Sequence, residues 1–169
     1  MTADSTNFHE AFTRGDLAAV KCALGDPPEF PNWRGHHAFG EPLEYAIYHS
    51  PLPFIRTLLE LGADPNYQDG TGFPSLIAAL STDRLDKYDL LELLLSFGAD
   101  IQQRGVNDYT PLHYAANLDD ARAVELLLAH GADPGARTDV DDFATPLEEA
   151  ENLGRTKAAE VLRRGWKGG

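Results

Sequence analysis

Asn107-Asp108-Tyr109-Thr110-Pro111-Leu112-His113-Tyr114-Ala115-Ala116, followed by Ala123-Val124-Glu125-Leu126-Leu127-Leu128-Ala129-His130-Gly131-Ala132-Asp133, is the stretch from which the fold is read. The Thr110 hydroxyl is placed to cap a helix, and Pro111 then takes the first helical position, where a missing N–H costs nothing. Leu112, Ala115 and Ala116 share one side of that helix, and the two alanines let a neighbour approach closely. Asp119 or Asp120 caps a second helix whose buried stripe is Val124, Leu127 and Leu128, and Gly131 supplies its left-handed stop. One such pair of helices cannot bury its own apolar face, so copies are expected beside it.

Copies recur along the chain. The Leu112 position aligns with Phe8, Leu43, Leu76 and Leu147, and the Ala115 position with Ala11, Ala46, Ala79 and Ala150, both columns keeping intervals of 35, 33, 36 and 35. The stop returns as Gly62-Ala63-Asp64, Gly98-Ala99-Asp100 and Gly131-Ala132-Asp133. Thr110-Pro111-Leu112-His113 with Ala115-Ala116, Leu127-Leu128 and Gly131-Ala132-Asp133 closely resembles one ankyrin repeat, a family whose period is about 33 residues. The resemblance extends over nearly the whole chain. It implies an all-α ankyrin-repeat solenoid of five helix-turn-helix units in a single domain, residues 1–169. Repeats are expected at about 5–25, 36–67, 69–102, 105–137 and 140–166. The first and last are atypical capping repeats with polar outer residues.

Three segments depart from the pattern. Pro27, Pro28 and Pro31 exclude a helix in 26–40, which reads as an extended Pro-rich excursion anchored by Phe30, Trp33 and Phe39. Ser50 as cap with Pro51 at the first helical position permits a second helix in the second repeat. In the third repeat Ser75 replaces the usual Pro, and 23 residues separate it from Gly98, against 20 from Pro42 to Gly62 and from Pro111 to Gly131. The extra residues fall near Thr82–Lys87, where a protruding loop is expected.

Composition narrows the function classes. With 14 Lys and Arg against 27 Asp and Glu, the formal net charge is -13, which disfavours nucleic acid and anionic membrane and steers a basic partner into encounter. No apolar run is long enough to span a bilayer, and Met1-Thr2-Ala3-Asp4-Ser5 lacks the basic and apolar character of a leader, so a soluble cytoplasmic protein, monomeric by itself, is expected. Cys22, the single cysteine, is expected on the inner stripe of a helix as a small core residue, which excludes an internal disulfide. There is no phosphate loop, nucleophile elbow or paired-cysteine ligand set. The expectation is a non-enzyme without cofactor or metal.

The resemblance also implies binding through the turn tips and the concave face of the first helices. Carried onto this chain, the partner-binding residues are Trp33, His37, Phe39, Tyr48, His49, Phe73, Asn107, Tyr109, Asn117, Asp141, Asp142 and Phe143. An aromatic recurs at the tips as Phe39, Phe73, Tyr109 and Phe143. Aromatics serve as interface anchors or pack between neighbouring turns, the second being the simpler reading for Phe73 and Tyr109. Asp139, Asp141, Asp142, Glu148, Glu149 and Glu151 occur with no Lys or Arg between them, either as a solvated surface or as a face for a basic partner. The leading expectation is a non-catalytic protein-interaction module that binds a basic protein, in its sharpest form an inhibitor or immunity protein that neutralises a toxin. The alternatives are a regulator that binds metal or a small ligand through His36, His37 and His49, and a structural assembly subunit that uses its convex face. His113 is expected to bond the backbone of an adjoining turn.

Overall fold

Among the residues described by the computed structural model, 3–33, 40–67, 72–139 and 143–165, the chain forms ten α-helices, one 3-10 turn and no strand. Consecutive helices pack as pairs: α1 (Ala3–Arg14) on α2 (Leu17–Ala23), α3 (Pro42–His49) on α4 (Leu52–Glu60), and α5 (Ser75–Ser81) on α6 (Lys87–Ser96). After the 3-10 turn (Val106–Asp108), α7 (Pro111–Asn117) packs on α8 (Ala121–Ala129), and α9 (Pro146–Asn152) on α10 (Thr156–Gly165). The helices group into two compact units, Met1–Asp69 and Gly70–Gly169.

The two repeating columns are where the helices touch. Ala46, Ala79, Ala115 and Ala150 are wholly buried, as are their larger neighbours Ile47, Ile77 and Leu112. An alanine there lets successive first helices approach closely, so α1 meets α3 in the first unit, and α5 meets α7 and α7 meets α9 in the second. The first unit adds an aromatic knot in which Phe12 lies 4.9 Å from Tyr45 and 5.9 Å from Phe54, centroid to centroid.

Each Gly-Ala-Asp stop has the same local structure. Gly62, Gly98 and Gly131 take positive φ of 94, 88 and 89 degrees. The following Ala N–H reaches back to Leu58, Leu94 or Leu127, while the Gly N–H bonds the carbonyl three residues back. The Ala is buried, and the Asp carboxylate accepts the N–H two residues on, from Asn66, Gln102 or Gly135. Starts are equally local. Thr145 caps α9 and Glu148 returns the bond to the Thr145 N–H at 2.8 Å; Thr110 and His113 do the same for α7.

Several expectations are narrowed or corrected. Of the two candidate caps, Asp120 caps α8 through the Ala123 N–H at 3.0 Å. Asp119, at φ 55 degrees, instead accepts the Ala158 N–H of α10 at 2.9 Å. Helix α4 starts at Leu52, with Pro51 as the extended residue before it, because its ψ of 148 degrees is not helical. Cys22 is exposed: Val20 takes the inward position of α2, and two residues further on a helix point away. The insertion in the third repeat is shared between a longer loop at 82–86 and a tenth residue in α6, against nine in α8. The Pro-rich excursion is held by a polar clamp, since Asn32 donates to the Gly62 carbonyl at 2.8 Å and accepts the Asp64 N–H at 2.7 Å. Phe30 and Trp33 are half-buried, and Phe39 lies outside the described residues.

Candidate functional site

The turn tips of the second unit precede α5, α7 and α9 and are tied to one another. The Val106 N–H donates to the Gly72 carbonyl at 2.7 Å, and the Asp139 N–H to the Asp108 carboxylate. Two arginines brace the edge. Arg104 holds Asp108 and reaches the Arg137 carbonyl at 2.8 Å, while Arg137 reaches the Phe143 carbonyl at 2.7 Å and the Glu148 carboxylate at 3.0 Å. The Thr145 N–H holds the Glu148 carboxyl below the usual carboxylate range, opposed by burial and supported by Arg137.

Three non-glycine residues on this edge are left-handed: Asn107 at φ 55, Asp108 at 59 and Phe143 at 50 degrees. Asn and Asp tolerate that region; Phe does not. Phe143 also leaves 58% of its surface in water, so it stands out on two independent counts.

The other expected contact residues are placed as follows. Asn107 is exposed on its tip, and Asn117 is half-buried at the end of α7. Phe73 is half-buried with its ring 6.2 Å from Tyr114, edge to face. Tyr109 is buried, stacked on His113 at 5.6 Å and donating its hydroxyl to Glu149, which makes its ring part of the support behind the surface. Trp33 is half-buried. His36, His37, Phe39, Asp141 and Asp142 lie outside the described residues.

In the first unit Tyr48 and His49 are exposed on α3, and His49 has a neighbour that was not anticipated. His9 of α1 stands 5.2 Å from the His49 ring and bonds the Tyr45 hydroxyl at 2.7 Å. Burial, and then the His9 charge, lower the His49 pKa. The only sequence signal for this group is i, i+4 spacing, His9 to Thr13 and Tyr45 to His49, which matches any helix face. Among the described residues no group of three or more His, Cys, Asp and Glu could hold a metal ion.

The acidic run is less bare than its sequence. Glu148 pairs with Arg137, Glu149 accepts from Tyr109, and Glu151 pairs with Arg163 at 2.7 Å. Charges absent between these residues come from one helix away or from the neighbouring repeat, and Asp139 is the exposed carboxylate of the run that has no such partner among the described residues.

Paired helices, repeated stops and bonded tips define a helical repeat module, and comparison with known proteins gives its family. A family model described as Ankyrin repeats (3 copies) matches residues 74–166, and one described as Ankyrin repeats (many copies) matches 43–86. The chain is 36% identical over 110 residues to the putative E3 ubiquitin-protein ligase XBAT34 of Arabidopsis thaliana, covering 64% of this chain and 28% of that protein. It is 38% identical over 100 residues to putative ankyrin repeat protein FPV031 of fowlpox virus (strain NVSL), covering 59% and 28%. Against alpha-latrocrustotoxin-Lt1a of Latrodectus tredecimguttatus it is 32% identical over 124 residues, covering 73% and 8%. The chain thus spans 28% or less of the length of these relatives. It belongs to the ankyrin-repeat family, whose repeats mediate protein–protein interaction. No helix among the described residues is long and apolar enough to cross a membrane.

Proposed function

We propose that the chain is a non-catalytic binding module that takes a basic protein on its tip edge and first-helix ends. Asn107, Asn117, Asp141, Asp142 and Phe143 make the contact in the second unit, and Tyr48 and His49 offer the exposed groups of the first. The observation that carries this reading is Phe143, a large apolar side chain held in water, in a disfavoured backbone conformation, on an edge braced by Arg104 and Arg137. A rigid exposed aromatic loses little entropy on docking, which is what an interface anchor requires. Asp139 and the net charge of -13 set the sign of the partner, since long-range steering acts before contact. In its sharper form the module is an inhibitor of the immunity-protein kind, covering the basic surface of a toxin; size, charge and fold support this by analogy.

The test is affinity capture from the native source, followed by binding of the identified partner to the wild type and to Asp139→Lys combined with Phe143→Ala. The expected result is a basic partner whose affinity falls about tenfold or more in the variant and declines with added salt. Loss of affinity for a captured acidic protein in this variant, or unchanged affinity for every captured protein, overturns the reading.

A further inference from the structure

The third-repeat insertion leaves one side chain without a structural role. Leu85 is fully exposed, yet its loop is braced: Arg84 grips Asp86 through two parallel bonds of 2.8 Å, and the Thr82 hydroxyl donates to the Ala79 carbonyl at 2.7 Å. A leucine on a braced loop forgoes burial within its own chain, so its apolar surface remains to be removed from water by a docked partner.

Beside it, Thr82, Asp83 and Lys87 line a groove of about 560 Å³ whose far side includes Leu118, Arg122 and Lys157. The carboxylates of its wall are engaged. Asp120 is held by Lys87 at 2.6 Å, by the Tyr88 hydroxyl at 3.0 Å and by the Ala123 N–H, and Asp119 by the Ala158 N–H. The cations opposite are not. Among the described residues neither Arg122 nor Lys157 pairs with a carboxylate, and the Arg122 guanidinium lies 4.0 Å from the centre of the Tyr88 ring, a contact that leaves its N–H donors for a ligand. Asp83 remains on the near rim, so any selectivity for anions comes from the Arg122 and Lys157 side.

We infer that this loop edge, from Leu85 to the Arg122 and Lys157 side of the groove, docks an acidic segment of a partner protein that carries an aliphatic or aromatic residue. The unpaired cations take its carboxylates, with Leu85 and the half-exposed Leu118 meeting its apolar side chain. A nucleic acid fits less well, because it would leave both leucines uncovered and because its continuous phosphate charge meets the net charge of -13 over a longer span than a short acidic segment does. The loops follow the first helices whereas the tips precede them, so this edge differs from the tip edge proposed above, meets it at the first-helix ends, where Asn117 adjoins Leu118, and prefers partners of opposite charge.

A random peptide library selected on the immobilised full chain tests the inference. Enriched peptides are expected to be acidic with an aliphatic or aromatic residue, and to lose about tenfold or more in affinity on Leu85→Ser and on Arg122→Gln with Lys157→Gln. Melting temperatures of these variants should match the wild type, and Phe143→Ala should bind the peptides unchanged, which separates this surface from the tips. Enrichment of basic or neutral peptides, or of none, overturns the inference. So does binding that these variants leave intact. Equal displacement by inorganic phosphate or a single-stranded oligonucleotide would show an anion site without peptide selectivity, and loss of self-association in the same variants would make a second copy the occupant; either result overturns it as well.

Discussion

His113 and Ala144 join two successive repeats: the imidazole Nε2 lies 3.0 Å from the Ala144 carbonyl, and the histidine is wholly buried. The Thr110 N–H can only donate, so Nδ1 of His113 accepts it and the ring proton sits on Nε2, pointed at Ala144. The neutral ring satisfies both nitrogens. A protonated ring would lose the Thr110 N–H bond and keep only the Thr110 hydroxyl, 2.9 Å away, as an acceptor for Nδ1–H.

That geometry sets a pH dependence. Burial lowers the His113 pKa below its ordinary 6.5, outweighing the Ala144 bond that favours the charged form. An unfolded chain therefore takes up a proton at this site before the folded one does. The stabilisation is complete above the unfolded value and is lost as pH falls through the interval down to the folded value. Urea midpoints should drop as pH falls below about 6.5, and His113→Gln should flatten the slope without abolishing it, since His49 is shifted in the same direction. His113→Ala should cost about 3 kcal/mol at neutral pH, from the cavity and the orphaned Ala144 carbonyl.

Asp120 unites a helix cap with a largely buried ion pair, the Lys87 and Asp120 side chains being 17% and 12% exposed. Burial opposes its ionisation, but the Lys87, Ala123 and Tyr88 bonds outweigh it and lower its pKa. Asp120→Ala should cost about 3 kcal/mol by denaturation, because it strands the Lys87 ammonium as well as the α8 N-terminus. Asp120→Asn keeps an acceptor for the Ala123 N–H and should cost less.

Two glycines with similar φ should respond differently to alanine. At Gly131, φ 89 degrees, a Cβ would meet nothing within 4 Å, so Gly131→Ala pays only the left-handed penalty of about 1 kcal/mol. At Gly72, φ 88 degrees, the Cβ would sit 2.9 Å from the Val106 N that bonds the Gly72 carbonyl. Gly72→Ala should cost about 3 kcal/mol, since strain and a disrupted tip-to-tip bond add. Comparing the two melting temperatures checks the difference.

Tyr109, immediately before Thr110, and Phe143, two residues before Thr145, should divide cleanly between stability and binding. Phe143→Ala should change stability by no more than about 0.5 kcal/mol, as expected for an exposed side chain. Tyr109→Ala should cost about 3 kcal/mol, because its ring is packed on His113 and its hydroxyl holds Glu149. Equal losses in denaturation would contradict this division.

The sequence by itself determined the all-α repeat, the helix starts at Thr110 and Thr145, the stops at Gly62, Gly98 and Gly131, and the site of the insertion. These features rest on bonds between residues at most five positions apart, so each window of sequence carries its own answer. Only the tertiary structure decided that Asp119 serves α10 while Asp120 serves α8. It also decided that Tyr109 backs the tips, that His9 sits beside His49, and that Arg122 stands unpaired over Tyr88. Lys87 to Asp120, Asp119 to Ala158 and Tyr109 to Glu149 are separated by 33, 39 and 40 residues, about one repeat, and stacking of neighbouring repeats is what brings such residues into contact.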